Sequence, residues 1–215
     1  MNTGDPILII AIVLATLAVS VTLHEYMHGY VAYKLGDNTA KLSGRLTLNP
    51  LAHVDPFATV LLPIMLAIIG LPPFGAAKPV PFNPSHLRNG ETGLVMVSVA
   101  GPLTNLVLAA IGGVLFQILP ISFFTLTVLP WFILLNLAFF VFNMIPFPPL
   151  DGSRILYVLA PEPVRRFMNT IESMGLIGIG LFIFIGFPFI GPFLGAAISV
   201  LSRWLTGVDI QQFLL

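Results

Sequence analysis

The sequence predicts an all-α, polytopic membrane protein with about five transmembrane helices, one re-entrant segment and a small membrane-associated β-sheet. Three observations predict it. Of 215 residues, 57% are hydrophobic and only 8% charged, with a mean hydropathy of +0.99, whereas soluble domains carry roughly a quarter charged residues. The apolar residues gather into stretches near the length that crosses a bilayer. When those stretches cross in turn, every Lys and Arg falls on one side.

The elements follow in chain order. Met1–Pro6 lacks a basic n-region and the apolar stretch after it lacks a small-residue cleavage site, so it is expected to be a retained first helix. Crossings are expected at about Ile7–Leu35, Gly93–Leu119, Leu129–Pro146, Met174–Phe187 and Phe193–Leu205. The last two form a short hairpin, with Phe187–Pro192 as its tight turn. Polar and apolar residues roughly alternate through Thr39–Pro50, which predicts strand structure. Such strands would need shielding from lipid by helices, or a place at the surface. Phe57–Leu71 is apolar for only fifteen residues and runs into Leu71-Pro72-Pro73-Phe74-Gly75, which breaks a helix.

Charge sets the orientation. With the N-terminus outside, Lys34, Lys41, Arg45, Lys78, Arg88, Arg154, Arg165, Arg166 and Arg203 all lie inside. The loops at Pro120–Val128 and Phe187–Pro192 carry no charge. Making Phe57–Leu71 a sixth crossing would scatter the cations, so it is expected to dip in and return to the inner side. A single domain over residues 1–215 follows, with a core at about 5–160 and a C-terminal helical hairpin at about 173–206. Net charge near zero gives no sign of a nucleic-acid partner. The absence of cysteine excludes disulfides and thiolate metal sites. No internal repeat is visible, which argues against an inverted-repeat transporter.

The strongest chemical signal is His24-Glu25-Tyr26-Met27-His28. Histidines four apart on a helix share a face, so both imidazoles can reach one metal ion. Glu25 beside them is a carboxylate able to accept a proton from activated water. Ionisable groups in an apolar helix are costly and are kept for function. A catalytic zinc normally takes three protein ligands. Asp37, His53, Asp55, His86, Glu91, Asp151, Glu162 and Glu172 are candidates for the third. Asp151 stands out because it follows the inner end of a crossing helix, at a depth like that of His24; the competing reading is a helix cap for Gly152–Leu159. His53 and Asp55 read more simply as turn-shaping and capping residues, and His86 and Arg88 as inner-surface residues. Gly101, Gly112 and Gly113 read as points of close helix approach.

H-E-x-x-H on one membrane helix, with Asn143-Met144-Ile145-Pro146-Phe147-Pro148-Pro149-Leu150-Asp151-Gly152 ending a later one, resembles the site-2 proteases, a family of intramembrane zinc metalloproteases. Ala100-Gly101-Pro102-Leu103-Thr104-Asn105, Gly75–Val80 and Gly44–Pro56 add to the resemblance, which covers about residues 5–160. It implies one Zn2+ per chain held by His24, His28 and Asp151, Glu25 as catalytic base, and Asn143 as a residue that helps position substrate. It also implies transmembrane segments of other membrane proteins as substrates, and a multi-pass place in a prokaryotic cell membrane with the site opening toward the cytoplasm. The chain departs from many members in lacking PDZ and nucleotide-sensing domains and in carrying the Phe57–Leu71 insertion. Ala77–Asn83 reads as an extended edge for an unwound substrate. Two rivals are a membrane zinc or proton transporter and a catalytically silent member that only binds membrane helices. A transporter has no use for a general base, so Glu25 separates it from a protease.

Overall fold

Asp5 opens the first helix by accepting the Ile7 amide on its carboxylate (3.0 Å), with Pro6 at the first helical position, where a missing N–H costs nothing. In the computed structural model, which describes residues 5–68, 76–175, 178, 180, 182 and 186–213, this helix, α1, runs Pro6–Lys34. It ends where Gly36 takes φ 108°, a left-handed conformation that terminates helices readily only at glycine. Short α2 (Thr39–Leu42) and α3 (Leu62–Ile68) follow, then α4 (Gly90–Ile118), α5 (Leu129–Asn143), α6 (Ser153–Leu159), α7 (Glu162–Ser173) and α8 (Phe187–Thr206).

Four helical stretches among the described residues are long and apolar enough to cross a membrane: Pro6–Lys34, Gly90–Ile118, Phe124–Asn143 and Pro188–Thr206. The third starts earlier than expected. A wide turn at Phe124–Val128 leads directly into α5. Pro130 has no N–H for the carbonyl four residues back, and a wider turn accommodates that gap. The expected crossing at Met174–Phe187 lies largely outside the described residues. The expected turn at Phe187–Pro192 is instead the start of α8: Pro188 sits in the first turn, where its missing N–H costs nothing, while Pro192 is carried inside the helix.

The predicted β-sheet is not present: the described residues contain no strand. Asp37 accepts both the amide (3.0 Å) and the hydroxyl (2.5 Å) of Thr39, which starts α2 where a strand was expected. Gly44 at φ 66° then turns the chain, and Asn49 accepts the Leu51 amide to cap a tight helical turn at Pro50–His53. Local capping outweighs a short alternating pattern.

The interior is that of a membrane protein. On α1 the buried residues include Thr16, Ser20, Thr22, His24 and His28, while Ile7, Ile10, Leu14 and Val19 face outward. On α4 the buried face is a line of small residues, Gly93, Ala100, Gly101, Ala109, Gly112 and Gly113. A Cβ at Gly112 would stand 2.9 Å from Ile133 on α5, and one at Gly113 2.7 Å from the Leu205 carbonyl on α8. Both glycines therefore set helix separation, as their type predicts. Helix α4 packs on α1 and α5, and α5 on α8. Ala109, Leu129, Ile133, Leu137 and Ile210 form the main apolar core.

The ends of the insertion bear on topology. The Arg88 amide donates to the Leu35 carbonyl (2.9 Å), and Leu87 packs with Ala32 and Leu35. The chain between α1 and α4 thus begins and ends at the same end of α1, as an even number of crossings requires. Within it, Pro56–Leu61 and α3 form thirteen helical residues, which rise about 20 Å against the roughly 30 Å of a hydrocarbon core. Residues 69–75 of the expected re-entrant loop lie outside the described residues.

Candidate metal centre

Helical periodicity places His24 and His28 one turn apart on the buried face of α1, and each ring is fixed through its Nδ1. His24 Nδ1 donates to Asn105 Oδ1 (2.6 Å), and His28 Nδ1 donates to the Val97 carbonyl (2.7 Å), both partners lying on α4. With the protons on Nδ1, both Nε2 lone pairs are left as ligands. The rings meet edge to face, and their Nε2 atoms stand 3.0 Å apart.

Asp151 completes the group. Its Oδ2 lies 3.2 Å from His24 Nε2 and 3.3 Å from His28 Nε2. The loop after α5 delivers it: the Gly152 amide donates to the Asn143 carbonyl (2.6 Å), folding the chain back on the helix end. A Cβ at Gly152 would sit 2.4 Å from the Met144 carbonyl, so only glycine permits this turn. Arg154 then pairs with Glu172 and holds α6 to α7.

The three atoms fit a zinc ion. Ligands about 2.0–2.1 Å from a tetrahedral zinc stand ~3.3–3.4 Å from one another. The observed triangle, with edges of 3.0, 3.2 and 3.3 Å, is close to that size. Two neutral imidazoles and one carboxylate are also a donor set that zinc accepts. Gly101 leaves the space. A Cβ there would fall 2.3 Å from His28 Nε2 and 2.7 Å from His24 Nε2. Sequence reasoning assigned this glycine only to helix packing, but it faces the ligand atoms themselves.

Glu25 points to a neighbouring segment, where its Oε2 accepts the Val80 amide (2.8 Å). That segment follows the Lys78 amide's bond to the His53 carbonyl (2.9 Å), and Arg45 grips the Lys78 carbonyl (2.6 Å). Residues 77–83 carry no helix or strand, and the Lys78 and Val80 amides of the expected edge are already engaged.

Among the described residues, the other candidate ligands do not join this group. His53 is 2% exposed and its Nε2 donates to the Thr47 carbonyl (2.9 Å). Asp55 caps the turn at Pro56 through the Phe57 and Ala58 amides. Asp37 pairs with His86, Glu91 with Arg165, Glu162 with Arg166 and Glu172 with Arg154. Asn143 donates its side-chain amide to Phe139 within its own helix (3.0 Å). Asn136, Arg45 and the Val80 amide were not foreseen. A signal for Asn136 did exist: an amide side chain in an otherwise apolar membrane helix needs a buried partner.

A family model described as Peptidase family M50 matches residues 120–187. The chain is 43% identical over 181 residues to "Putative zinc metalloprotease YwhC" of Bacillus subtilis (strain 168), covering 80% of each chain. It is 30% identical over 214 residues to "Putative zinc metalloprotease Rip2" of Mycobacterium tuberculosis (strain ATCC 25618 / H37Rv), covering 95% of this chain and 74% of that one. The chain belongs to peptidase family M50. This family comprises the site-2 proteases that the two motifs resemble, so the protein is a zinc metalloprotease with membrane-competent helices. No solved structure matches the chain.

Proposed function

We propose that this M50 peptidase hydrolyses peptide bonds inside the transmembrane segments of other membrane proteins. One observation carries the reading: a zinc-sized triangle of His24 Nε2, His28 Nε2 and Asp151 Oδ2 lies in the interior of membrane-length helices, next to Glu25. Zinc held by those three residues supplies Lewis acidity to water and to a scissile carbonyl. Glu25 takes the proton from the attacking water and returns it to the leaving amine, while its bond to Val80 holds the carboxylate in place. In this reading Asn143, half-buried at the end of α5, helps position the substrate. The cation-rich end of the bundle, where α1 and the Asp151 loop meet, faces the cytoplasm by the positive-inside rule.

The test is cleavage of a single-pass substrate in reconstituted vesicles by wild type and Glu25→Gln, each with its zinc content measured. Fragment release by wild type only, with equal zinc in both, supports the reading. Release by Glu25→Gln, or release that survives a zinc chelator, rules it out.

A further inference from the structure

Three helices contribute to one buried line of hydrogen bonds ending at His24. His24 on α1 bonds Asn105 on α4 (2.6 Å), Asn105 Nδ2 donates to Asn136 Oδ1 on α5 (3.0 Å), and Asn136 Nδ2 donates to the Phe132 carbonyl (2.8 Å). Asn105 Nδ2 also faces the Ser20 carbonyl at 3.4 Å. Asn105, Asn136 and Ser20 expose no surface, so water does not compete for these partners.

We propose that Asn136 is a positioning residue for His24: by anchoring this line on the Phe132 carbonyl, it keeps the His24 proton on Nδ1 and the Nε2 lone pair toward the metal. The direction follows from donor and acceptor chemistry. A peptide carbonyl only accepts, so the end of Asn136 facing Phe132 is its NH2 and the other end is its oxygen. That oxygen takes an Asn105 N–H, which leaves the Asn105 oxygen facing His24. A flipped Asn105 would set its oxygen against the Asn136 and Ser20 oxygens, two mismatches in a dry interior. It would also offer N–H groups to His24 Nδ1, moving the ring proton to Nε2 and removing that nitrogen as a ligand.

His28 needs no such device, because the Val97 carbonyl meets its Nδ1 directly and cannot be reversed. Asn105 is reversible, and something must hold it. Ser20 supplies one long contact and Asn136 the shorter one. This inference rests on the reading of His24 as a metal ligand.

The experiment uses the purified full chain in detergent. Nitrogen-15 histidine NMR of the metal-free protein reads the His24 tautomer, assigned with a His24→Gln variant, and competition with a chelator reads the affinity for zinc alone. Wild type is expected to show the Nδ1–H form. Asn136→Leu is expected to show mixed tautomers and zinc binding weakened about 10–100-fold. Asn136→Asp is isosteric and, protonated in this interior, keeps one acceptor and one donor, so it should restore both readouts. Asn136→Ala carries the expectation of the leucine variant if that one does not fold. A wild-type tautomer and wild-type affinity in Asn136→Leu would overturn the proposal, as would equal zinc loss in the leucine and aspartate variants with the tautomer unchanged. Wild-type protein that binds no zinc would overturn the metal-site reading itself, which is a separate outcome.

Discussion

The Val80 amide donates to Glu25 Oε2 at 2.8 Å, joining residues 55 apart in the chain. The carboxylate is thereby oriented from outside its own helix. Val80 is buried, and its side chain lies against Gly29, where an added Cβ would come within 2.9 Å of it. The Val80 segment and α1 therefore meet closely enough for a backbone N–H to reach the carboxylate.

Arg45 steadies that segment. Its guanidinium donates to the Lys78 carbonyl at 2.6 Å and to the Pro79 carbonyl at 3.4 Å, just before Val80. Arg45→Met is expected to lower kcat by about 10–100-fold, the equivalent of roughly 1–3 kcal/mol for lost charge-assisted bonds. Zinc content should not change, because no zinc ligand is touched. Parallel measurement of kcat and bound zinc checks this, and a loss of zinc in Arg45→Met would count against it.

Two glycines on one helix should fail differently. Gly101→Ala places a methyl group 2.3 Å from His28 Nε2, so zinc binding and activity are expected to be lost. Gly112→Ala meets Ile133 at 2.9 Å and is expected to cost about 1–3 kcal/mol of stability through overpacking, with zinc retained. Metal analysis and thermal unfolding of the two variants separate these outcomes.

Asp151→Ala is expected to reduce zinc to a small fraction of the wild-type content. His53→Ala should leave zinc content unchanged, since the ligand atoms that converge belong to His24, His28 and Asp151. Equal zinc in Asp151→Ala and wild type would mean that another residue supplies the third ligand.

Asp37 predicts a pH dependence. Burial pushes its carboxyl up, but donation from the Thr39 hydroxyl, the Asn83 and Thr39 amides and His86 outweighs burial and holds it below the ordinary carboxylate value. A native value below the unfolded one, about 3.9, stabilises the fold above that pH. The contribution fades as pH falls through the native value. At pH 7 wild type should be more stable than Asp37→Asn by about 1–3 kcal/mol, with the gap narrowing below about pH 4. Unfolding in detergent across pH 7 to 3 measures it. A gap that stays constant would remove Asp37 as the cause.

Much of the protein was legible because its signals are local. The length and apolar character of α1 and α4 follow from composition over one stretch of chain, and four-residue spacing puts His24 and His28 on one face whatever packs against them. Asp151 was legible by depth and motif, though seven other acids and histidines were also on offer. The predicted strand at Thr39–Pro50 failed because a short alternation carries less weight than the Asp37 cap, whose effect depends on where its side chain points. The turn predicted at Phe187–Pro192 failed because Pro188 falls in the first turn of α8, where proline is tolerated, and α8 carries Pro192 in its interior all the same; composition does not say which position a proline occupies.

By itself, then, the sequence determined the membrane class, the crossings at α1 and α4, and the pairing of two imidazoles with a neighbouring carboxylate, all consequences of short-range periodicity and hydropathy. Tertiary structure alone decided that Asp151 Oδ2 stands 3.2 and 3.3 Å from the two Nε2 atoms, that Gly101 vacates the space beside them, and that Asn105 and Asn136 line up behind His24. It also decided that Val80 holds Glu25. These relations join residues tens of positions apart; small side chains on α4 let α1 and α5 come close enough for polar groups to satisfy one another away from water, and Gly29 on α1 does the same for the Val80 segment.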